Sequence, residues 1–485
     1  PPRTPAEPGG PGGPQEEERD VAGLQVITIE TPSLGDRSYI AHDGEKALVV
    51  DPQRDIDRVL AHLDELGLDV THVVETHVHN DYVTGGYELA RRVGATYVLN
   101  ADDELFFDAH GVRDGDHLQV GTLDVRVVHT PGHTPTHLSY VVTDGTHTSA
   151  FTGGSLLYGS VGRTDLISRA MAEELTRHQY ATARRLADEL DDDVTVLPTH
   201  GFGSFCSSAA ADAQTADVDP RYGVATSTIG RQRLENIALT VADEETFVTT
   251  ILAGLDAYPR YYAHMAPRNK LGPDPVDLSP PVPADASELA ARIHAGEWVV
   301  DLRTRTAYAQ DHVIGTVNVE VSDSLVTYLA WLIPWGTPVT LVGDTAEEVA
   351  EAQRQLARVG IDRPAAAATG GIDRWGEGLG RGTYRVSDYA GLAALRDAGD
   401  GPHVLDVRRD DERRNRSIAG SQHVPLHELT RRALEVPDDR EVWVHCAGGY
   451  RASIAASLLV RAGRRPVLID DDEQAITTLG LDRAA

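Results

Sequence analysis

The chain predicts an α/β protein: a layered sandwich in its first half, then two copies of a smaller α/β domain. Three observations predict it. Strand-like and helix-like segments alternate from Gly23 to about Gly203, with sheet in both halves of that stretch. A segment dense in Pro and Asp, without periodicity, then reads as a linker over residues 266–284. Beyond it the chain repeats itself. Val299-Val-Asp301-Leu-Arg303 returns as Val404-Leu-Asp406-Val-Arg408, and Val313-Ile-Gly315 as Ile418-Ala-Gly420, at one constant offset. The expected domains are therefore 23–265, 285–381 and 383–485. A tail rich in Pro, Gly and Glu over residues 1–22 precedes them and is expected to be disordered.

In the first domain, Leu24-Gln-Val-Ile-Thr-Ile29 alternates as a strand does, and residues 38–41 and 47–51 supply two more. Residues 55–66 carry apolar side chains at helical spacing (Ile56, Val59, Leu60, Leu63, Leu66). The β-branched run Val70-Thr-His-Val-Val74 predicts a buried strand, residues 87–93 a helix and residues 95–99 another strand. Residues 117–120 and 123–128 flank Gly121-Thr122 as a hairpin would. An arginine-bearing helical region is expected over residues 230–258.

Composition narrows the function classes. The chain has 485 residues, enough for about three domains and a core that needs no disulfide. Its two cysteines, Cys206 and Cys446, lie far apart, which fits a reducing compartment. A net charge of −31, with Lys46 and Lys270 the only lysines, excludes a basic nucleic-acid-binding face. Neither a membrane-length apolar run nor a basic-then-apolar leader is present, so a soluble, cytoplasmic protein is expected.

The chemistry-bearing motif of the first domain is Glu75-Thr-His77-Val-His79-Asn-Asp81-Tyr82, at the end of a predicted strand. Two His at i and i+2 on a loop leaving a rigid strand can aim two imidazoles at one ion, with a carboxylate close by. A second segment, His129-Thr-Pro-Gly-His133-Thr-Pro-Thr-His137, uses Pro131-Gly132 as a tight turn to deliver His133 as a further ligand. His129 and His137 are expected in supporting parts. In Leu197-Pro-Thr-His200-Gly, His200 follows an apolar strand and offers either a ligand or a substrate contact.

These segments, with Phe151-Thr-Gly-Gly-Ser155, occur in the order used by the metallo-β-lactamase fold. The chain resembles its glyoxalase II-like branch, and within it the persulfide dioxygenases fused to rhodanese domains. The resemblance covers nearly all of residues 24–265 and implies an αββα sandwich. It implies one Fe(II) held by the first His of the HxHxD motif, the His after Pro-Gly, and an Asp in a TGD motif. The first two fall on His77 and His133. The third falls on Gly154, so the carboxylate is missing, and Tyr82 stands where many fold members carry a second-metal His. A mononuclear ion, iron with zinc the other possibility, is then expected on His77, His79 and His133. A degenerate, metal-poor scaffold is the competing reading. A dinuclear zinc thioester hydrolase ranks last.

The third domain carries Cys446-Ala-Gly448-Gly449-Tyr450-Arg451-Ala-Ser453 after a strand and before a helix. Such a loop turns backbone N–H groups toward the sulfur, and the helix N-terminus adds positive potential. Together with Arg451 this cradle is expected to favour thiolate over a free thiol's pKa of about 8.5. Gly448 and Gly449 permit the curl. The loop resembles that of rhodanese sulfurtransferases, which makes Cys446 the sulfur-carrying nucleophile and Gly448, Gly449, Tyr450 and Arg451 its substrate-binding loop. In the second domain Gly343 occupies the position of Cys446, so that rhodanese-like copy is expected to be inactive, a spacer or docking surface. Cys206 is expected to be structural or channel-lining. The expected enzyme oxidises a low-molecular-weight thiol persulfide to sulfite and moves sulfane sulfur through Cys446. Its expected partners are that persulfide, thiosulfate or sulfite, without nucleic acid or membrane, in a chain open to homo-oligomerisation.

Overall fold

The computed structural model describes residues 23–208, 223–399 and 401–482, with the backbone of 218–219. The tail expected over residues 1–22 lies outside the described residues.

Strand periodicity in the first domain resolves into two six-stranded sheets. One runs Gln25–Thr31, Asp36–His42, Lys46–Val50, Asp69–Val74, Thr96–Asn100, His110–Val112 in spatial order. The other runs Ser227–Thr228, Thr195–Pro198, Thr148–Gly153, Leu138–Thr143, Leu123–His129, His117–Val120. Alternate residues of each strand point inward. Tyr39, Leu48, Val50 and Val74 therefore meet Val125, Val127, Tyr140 and Phe151 in one core between the sheets. The outer faces need covers, and the helices supply them. Asp57–Leu66 and Gly86–Val93 bury Val59, Leu63 and Leu89 on the first sheet. Ala172–Glu189 and Glu244–Ala253 bury Ala183, Leu186, Phe247 and Ile251 on the second. The result is the expected αββα sandwich.

The two repeats each build a parallel sheet. The first orders Val317–Asn318, Trp298–Asp301, Val339–Val342 and Ala366–Ala368. The second orders Arg385–Ser387, Arg465–Ile469, Glu441–His445, His403–Asp406 and Gln422–His423. Both sheets are covered on two faces, so their strands read as near-continuous apolar runs. The repeated Asp-x-Arg makes the same buried fork in each copy: Arg303 pairs with Asp301 at 2.6 Å and Arg408 with Asp406 at 2.8 Å.

Residues 266–270, assigned by composition to the linker, instead finish the helix Tyr262–Lys270 with Pro267 inside it. Burial of Tyr262, Met265 and Asn269 outweighs the backbone bond that a helical proline forgoes. The three units pack on one another. One apolar cluster takes Tyr82, Cys206 and Met265 from the sandwich, Leu325 and Leu329 from the first repeat, and Leu426 and Cys446 from the second. Arg358 of the first repeat reaches Asp55 of the sandwich at 2.7 Å. Among the described residues no helix is long and apolar enough to cross a membrane.

Candidate metal centre and candidate nucleophile

Strand ends bring the sandwich's polar residues together at one rim. Asp51 follows Lys46–Val50, His77 follows Asp69–Val74, His133 follows Leu123–His129, Gly154 follows Thr148–Gly153 and His200 follows Thr195–Pro198. All five are buried. The rings of His77, His133 and His200 converge, with centroids 4.8 Å apart for His77 and His133 and 5.3 Å apart for the other two pairs. One nitrogen from each lies within 4.8 Å of the others. Burial away from water holds all three rings well toward the neutral form, in which a ring nitrogen keeps a lone pair. The donor chemistry fits a divalent transition ion: three buried neutral imidazoles, one of which, His133, has an Nε2 with no partner.

Of the predicted set, His77 and His133 share one group of nitrogens, while His79, whose ring centroid is 4.1 Å from that of His77, groups instead with Asp81 and His200 and has an Nδ1 without a partner. Its Nε2 lies 3.2 Å from Asp51 and 3.2 Å from Glu75, with the Tyr82 hydroxyl 2.9 Å away. Burial alone would lower its pKa, but the two carboxylates hold it up at about 10, so the ring is a cation. Asp51 answers it: burial would raise this acid, but His79, Thr199 and the Thr76 N–H hold it at about 2. Tyr82 stacks on His79 at 4.3 Å. Protein charge and an aromatic ring thus occupy the surroundings of His79.

Asp51, Glu75 and Asp36 were not singled out by the sequence. Asp51 sits at φ 49°, an uncommon left-handed conformation for a non-glycine residue. That conformation turns its carboxylate onto Thr76, which donates to it through its N–H at 2.7 Å and its hydroxyl at 2.8 Å. Nothing in the Val-Val-Asp-Pro run signals this. Asp81 approaches His200 Nδ1 at 3.4 Å, and burial pushes both Asp81 and Asp36 up to about 7. His137 stacks on His77 with ring centroids 4.9 Å apart, but its Nε2 is not directed into the group of nitrogens, and His129 lies apart. His129 bonds the Pro135 carbonyl at 3.0 Å, and His137 accepts the Gly154 N–H at 2.9 Å.

Gly154 has no room for the side chain it lacks. A Cβ there would lie 2.3 Å from Cδ2 of His133.

In the last domain the strand Glu441–His445 delivers Cys446 to the loop that opens helix Tyr450–Arg461. Cys446 is 2 % exposed. Gly449 adopts φ 83°, and a Cβ there would meet Asp470, so the curl requires glycine. The Tyr389 hydroxyl donates to the Cys446 carbonyl at 2.8 Å and fixes the loop from behind. Arg451 does not present an unshared charge, because both of its terminal nitrogens bond Glu412 at 2.6 Å. Tyr450 donates to the Glu320 carbonyl of the first repeat at 2.8 Å, which makes it a tie between the repeats. Gly448 has open space at its Cβ position. Tyr328 and Trp331 of the first repeat wall a cavity of about 10 Å³ beside Arg409, His427 and Arg451, so the cysteine-less copy shapes the surroundings of this loop.

The equivalent loop of the first repeat is filled from within. The Glu348 carboxylate accepts the N–H of Asp344 at 2.7 Å and of Thr345 at 3.2 Å, and a Cβ on Gly343 would lie 2.7 Å from it. Installing Gly343→Cys in a Cys446→Ser background is therefore expected to restore no thiosulfate:cyanide sulfur transfer. The carboxylate occupies the donors a thiolate needs and repels an anionic donor. Transfer above the Cys446→Ser background would refute this.

Comparisons with known proteins find the same kinds of domain. Residues 37–200 match the metallo-beta-lactamase superfamily, and residues 285–377 and 390–472 match the rhodanese-like domain. The mitochondrial persulfide dioxygenase ETHE1 of Bos taurus is 30% identical over 218 residues, 44% of this chain and 72% of that protein. The hydroxyacylglutathione hydrolase GloC of Haemophilus influenzae is 26% identical over 185 residues, 34% of this chain and 84% of that one. A crystal structure of a metallo-beta-lactamase from Staphylococcus aureus subsp. aureus COL superposes with a TM-score of 0.62 at 26% identity. That likeness covers 72% of this chain and 99% of the other, and so extends beyond the sandwich.

Proposed function

The chain belongs to the metallo-beta-lactamase superfamily and carries rhodanese-like domains, and from that premise we propose a persulfide-oxidising and sulfur-transferring enzyme. Its relatives place it among enzymes, and in sulfur metabolism in general. The finer reading is that the sandwich oxidises a low-molecular-weight thiol persulfide to sulfite and free thiol, while Cys446 carries sulfane sulfur. The observation that carries it is the coexistence on one chain of a buried, neutral imidazole cluster and a cysteine on a curled loop opening a helix.

His77 and His133, on which the family resemblance places two ligands, would hold one metal ion, with iron the first candidate. When bound, the ion supplies Lewis-acid and redox chemistry toward the persulfide and O2. The chain's own part is to exclude water, since every ring of the cluster is buried, and to keep the His79 surroundings filled by Tyr82. At the other site the Cys446 thiolate attacks the outer sulfur of thiosulfate. The S–S bond of the donor breaks, sulfite leaves with the bonding pair, and Cys446 is left as a persulfide for a thiol acceptor. The loop held by Tyr389 and curled at Gly449 positions the sulfur for that attack.

Purified chain produced with added iron is expected to hold about one metal equivalent and to consume O2 with glutathione persulfide. No iron and no uptake would sink the oxidising half. A second reading, a sulfurtransferase on a metal-poor scaffold, is favoured by Gly154, and that outcome would select it.

A further inference from the structure

Salt bridges tie the three units together, and two arginines at their junction are left out of them. Arg358 of the first repeat holds Asp55 of the sandwich at 2.7 Å, and Arg305 holds Asp470 of the second repeat at 2.7 Å. Arg260 of the sandwich and Arg431 of the second repeat line one cavity and make no ion pair among the described residues. Arg260 bonds the His427 carbonyl at 3.5 Å, and Glu428, on the helix that carries Arg431, closes on Arg432 at 2.7 Å instead. The cavity has a volume of about 490 Å³, and its wall includes His264 of the sandwich and Trp298, Leu332 and Trp335 of the first repeat. Burial and the Arg431 charge hold the Arg260 guanidinium below its usual range, as expected of two cations that share a space without an anion between them. In a chain of net charge −31 such a pair is not a by-product of a basic composition. Trp335 keeps 40 % of its surface exposed, and His264 stacks on it with ring centroids 4.4 Å apart and planes within 7°.

We propose that this junction cavity binds an aromatic phosphate ester, of which a nucleoside monophosphate is the simplest, with the phosphate between Arg260 and Arg431 and the ring on Trp335 and Trp298. The site lies apart from both chemical centres and does not depend on the reaction assigned to either. A phosphate monoester carries about −1.5 to −2 charges at neutral pH, enough to answer both guanidiniums, whereas a carboxylate answers one. Planar guanidinium forks also match phosphate oxygens in pairs. Most of the remaining wall is apolar or aromatic, and a flat ring stacks on indole with little loss of side-chain freedom. The volume falls within the range of about 300–1,000 Å³ of cavities that enclose small molecules. All three units contribute residues, so an occupant holds them in one arrangement. Leu332 also walls the small cavity beside Arg451, so the occupant sits behind the Cys446 loop, while Cys446 itself stays outside the cavity wall.

Calorimetric titration of the full chain with adenosine monophosphate, adenosine and inorganic phosphate, each alone, tests this. Adenosine monophosphate is expected to bind at one site, to quench tryptophan fluorescence and to raise Tm by mass action. Adenosine and phosphate each carry half of the recognition and are expected to bind at least about tenfold more weakly. Replacing both arginines, Arg260→Gln with Arg431→Gln, is expected to weaken the nucleotide by about tenfold or more, as loss of two charge-assisted bonds does. Trp335→Leu is expected to weaken the nucleotide and leave phosphate binding as it was. Circular dichroism of the ligand-free variants reports that they are folded. Should a variant fail to fold, the ranking of the three probes on the unaltered chain still decides. No saturable binding of adenosine monophosphate below about 1 mM, phosphate or adenosine binding as tightly as the nucleotide, or an unchanged nucleotide affinity in the folded double variant would overturn the proposal.

Discussion

Cys446→Ser is expected to lower thiosulfate:cyanide sulfur transfer by about 10³-fold or more, because the step needs a sulfur nucleophile that can become a persulfide. A serine hydroxyl neither ionises near neutral pH nor forms a bond to sulfane sulfur that an acceptor thiol could break. Nothing else in the chain can substitute. Cys206 is fully buried, and burial pushes its thiol well up, in the apolar cluster against the first repeat. The exchange is nearly isosteric. It leaves the Tyr389 bond to the residue-446 carbonyl in place, so the fold should persist. The oxygen uptake proposed for the sandwich domain should be unaffected. Steady-state assays of both reactions on the same preparation check this, and more than a tenth of the original transfer rate would refute the assignment.

Gly154→Asp is expected to lower metal content and stability together, although it restores the carboxylate that the family motif carries. Its Cβ alone lands 2.3 Å from the His133 ring. That ring cannot simply turn aside, since its Nδ1–H is tied to the Arg163 carbonyl at 2.7 Å. Forcing a side chain into such a contact costs about 1–3 kcal/mol. Displacing His133 also removes a nitrogen from the cluster. Calorimetry should therefore show a lower Tm for the sandwich transition, and metal analysis less iron. An unchanged Tm with a full or larger metal complement would show that His133 yields easily and that the missing carboxylate alone had limited the site.

How much of this was legible in the sequence depends on the range of the interaction. The sandwich and the two repeats were readable because strand alternation and the duplicated Val-x-Asp-x-Arg segments are local patterns, and the sheets reproduce them. Cys446 was readable for the same reason, as strand, glycine loop and helix follow one another within a few residues. The helix through Pro267 was not, because its stability comes from burying Tyr262 and Met265 against other parts of the chain.

By itself the sequence determined which residues could do chemistry: His77, His79, His133 and His200 at strand ends, Cys446 on its loop, and Gly154 and Gly343 where side chains were expected. Only the tertiary structure decided which of them meet. His79 is two residues from His77 in the chain, yet buried Asp51 and Glu75 claim it as a cation. His200 lies far along the chain, yet its ring faces His77 at 3.4 Å because the strands Asp69–Val74 and Thr195–Pro198 end at the same rim. Arg451 adjoins the nucleophile in sequence, yet Glu412 takes its charge. The physical reason is common to all three. Residue type and local spacing fix what a group can do, but in a buried site the partner that satisfies its charge or lone pair comes from another segment, and only the packing of the sheets brings that segment within reach.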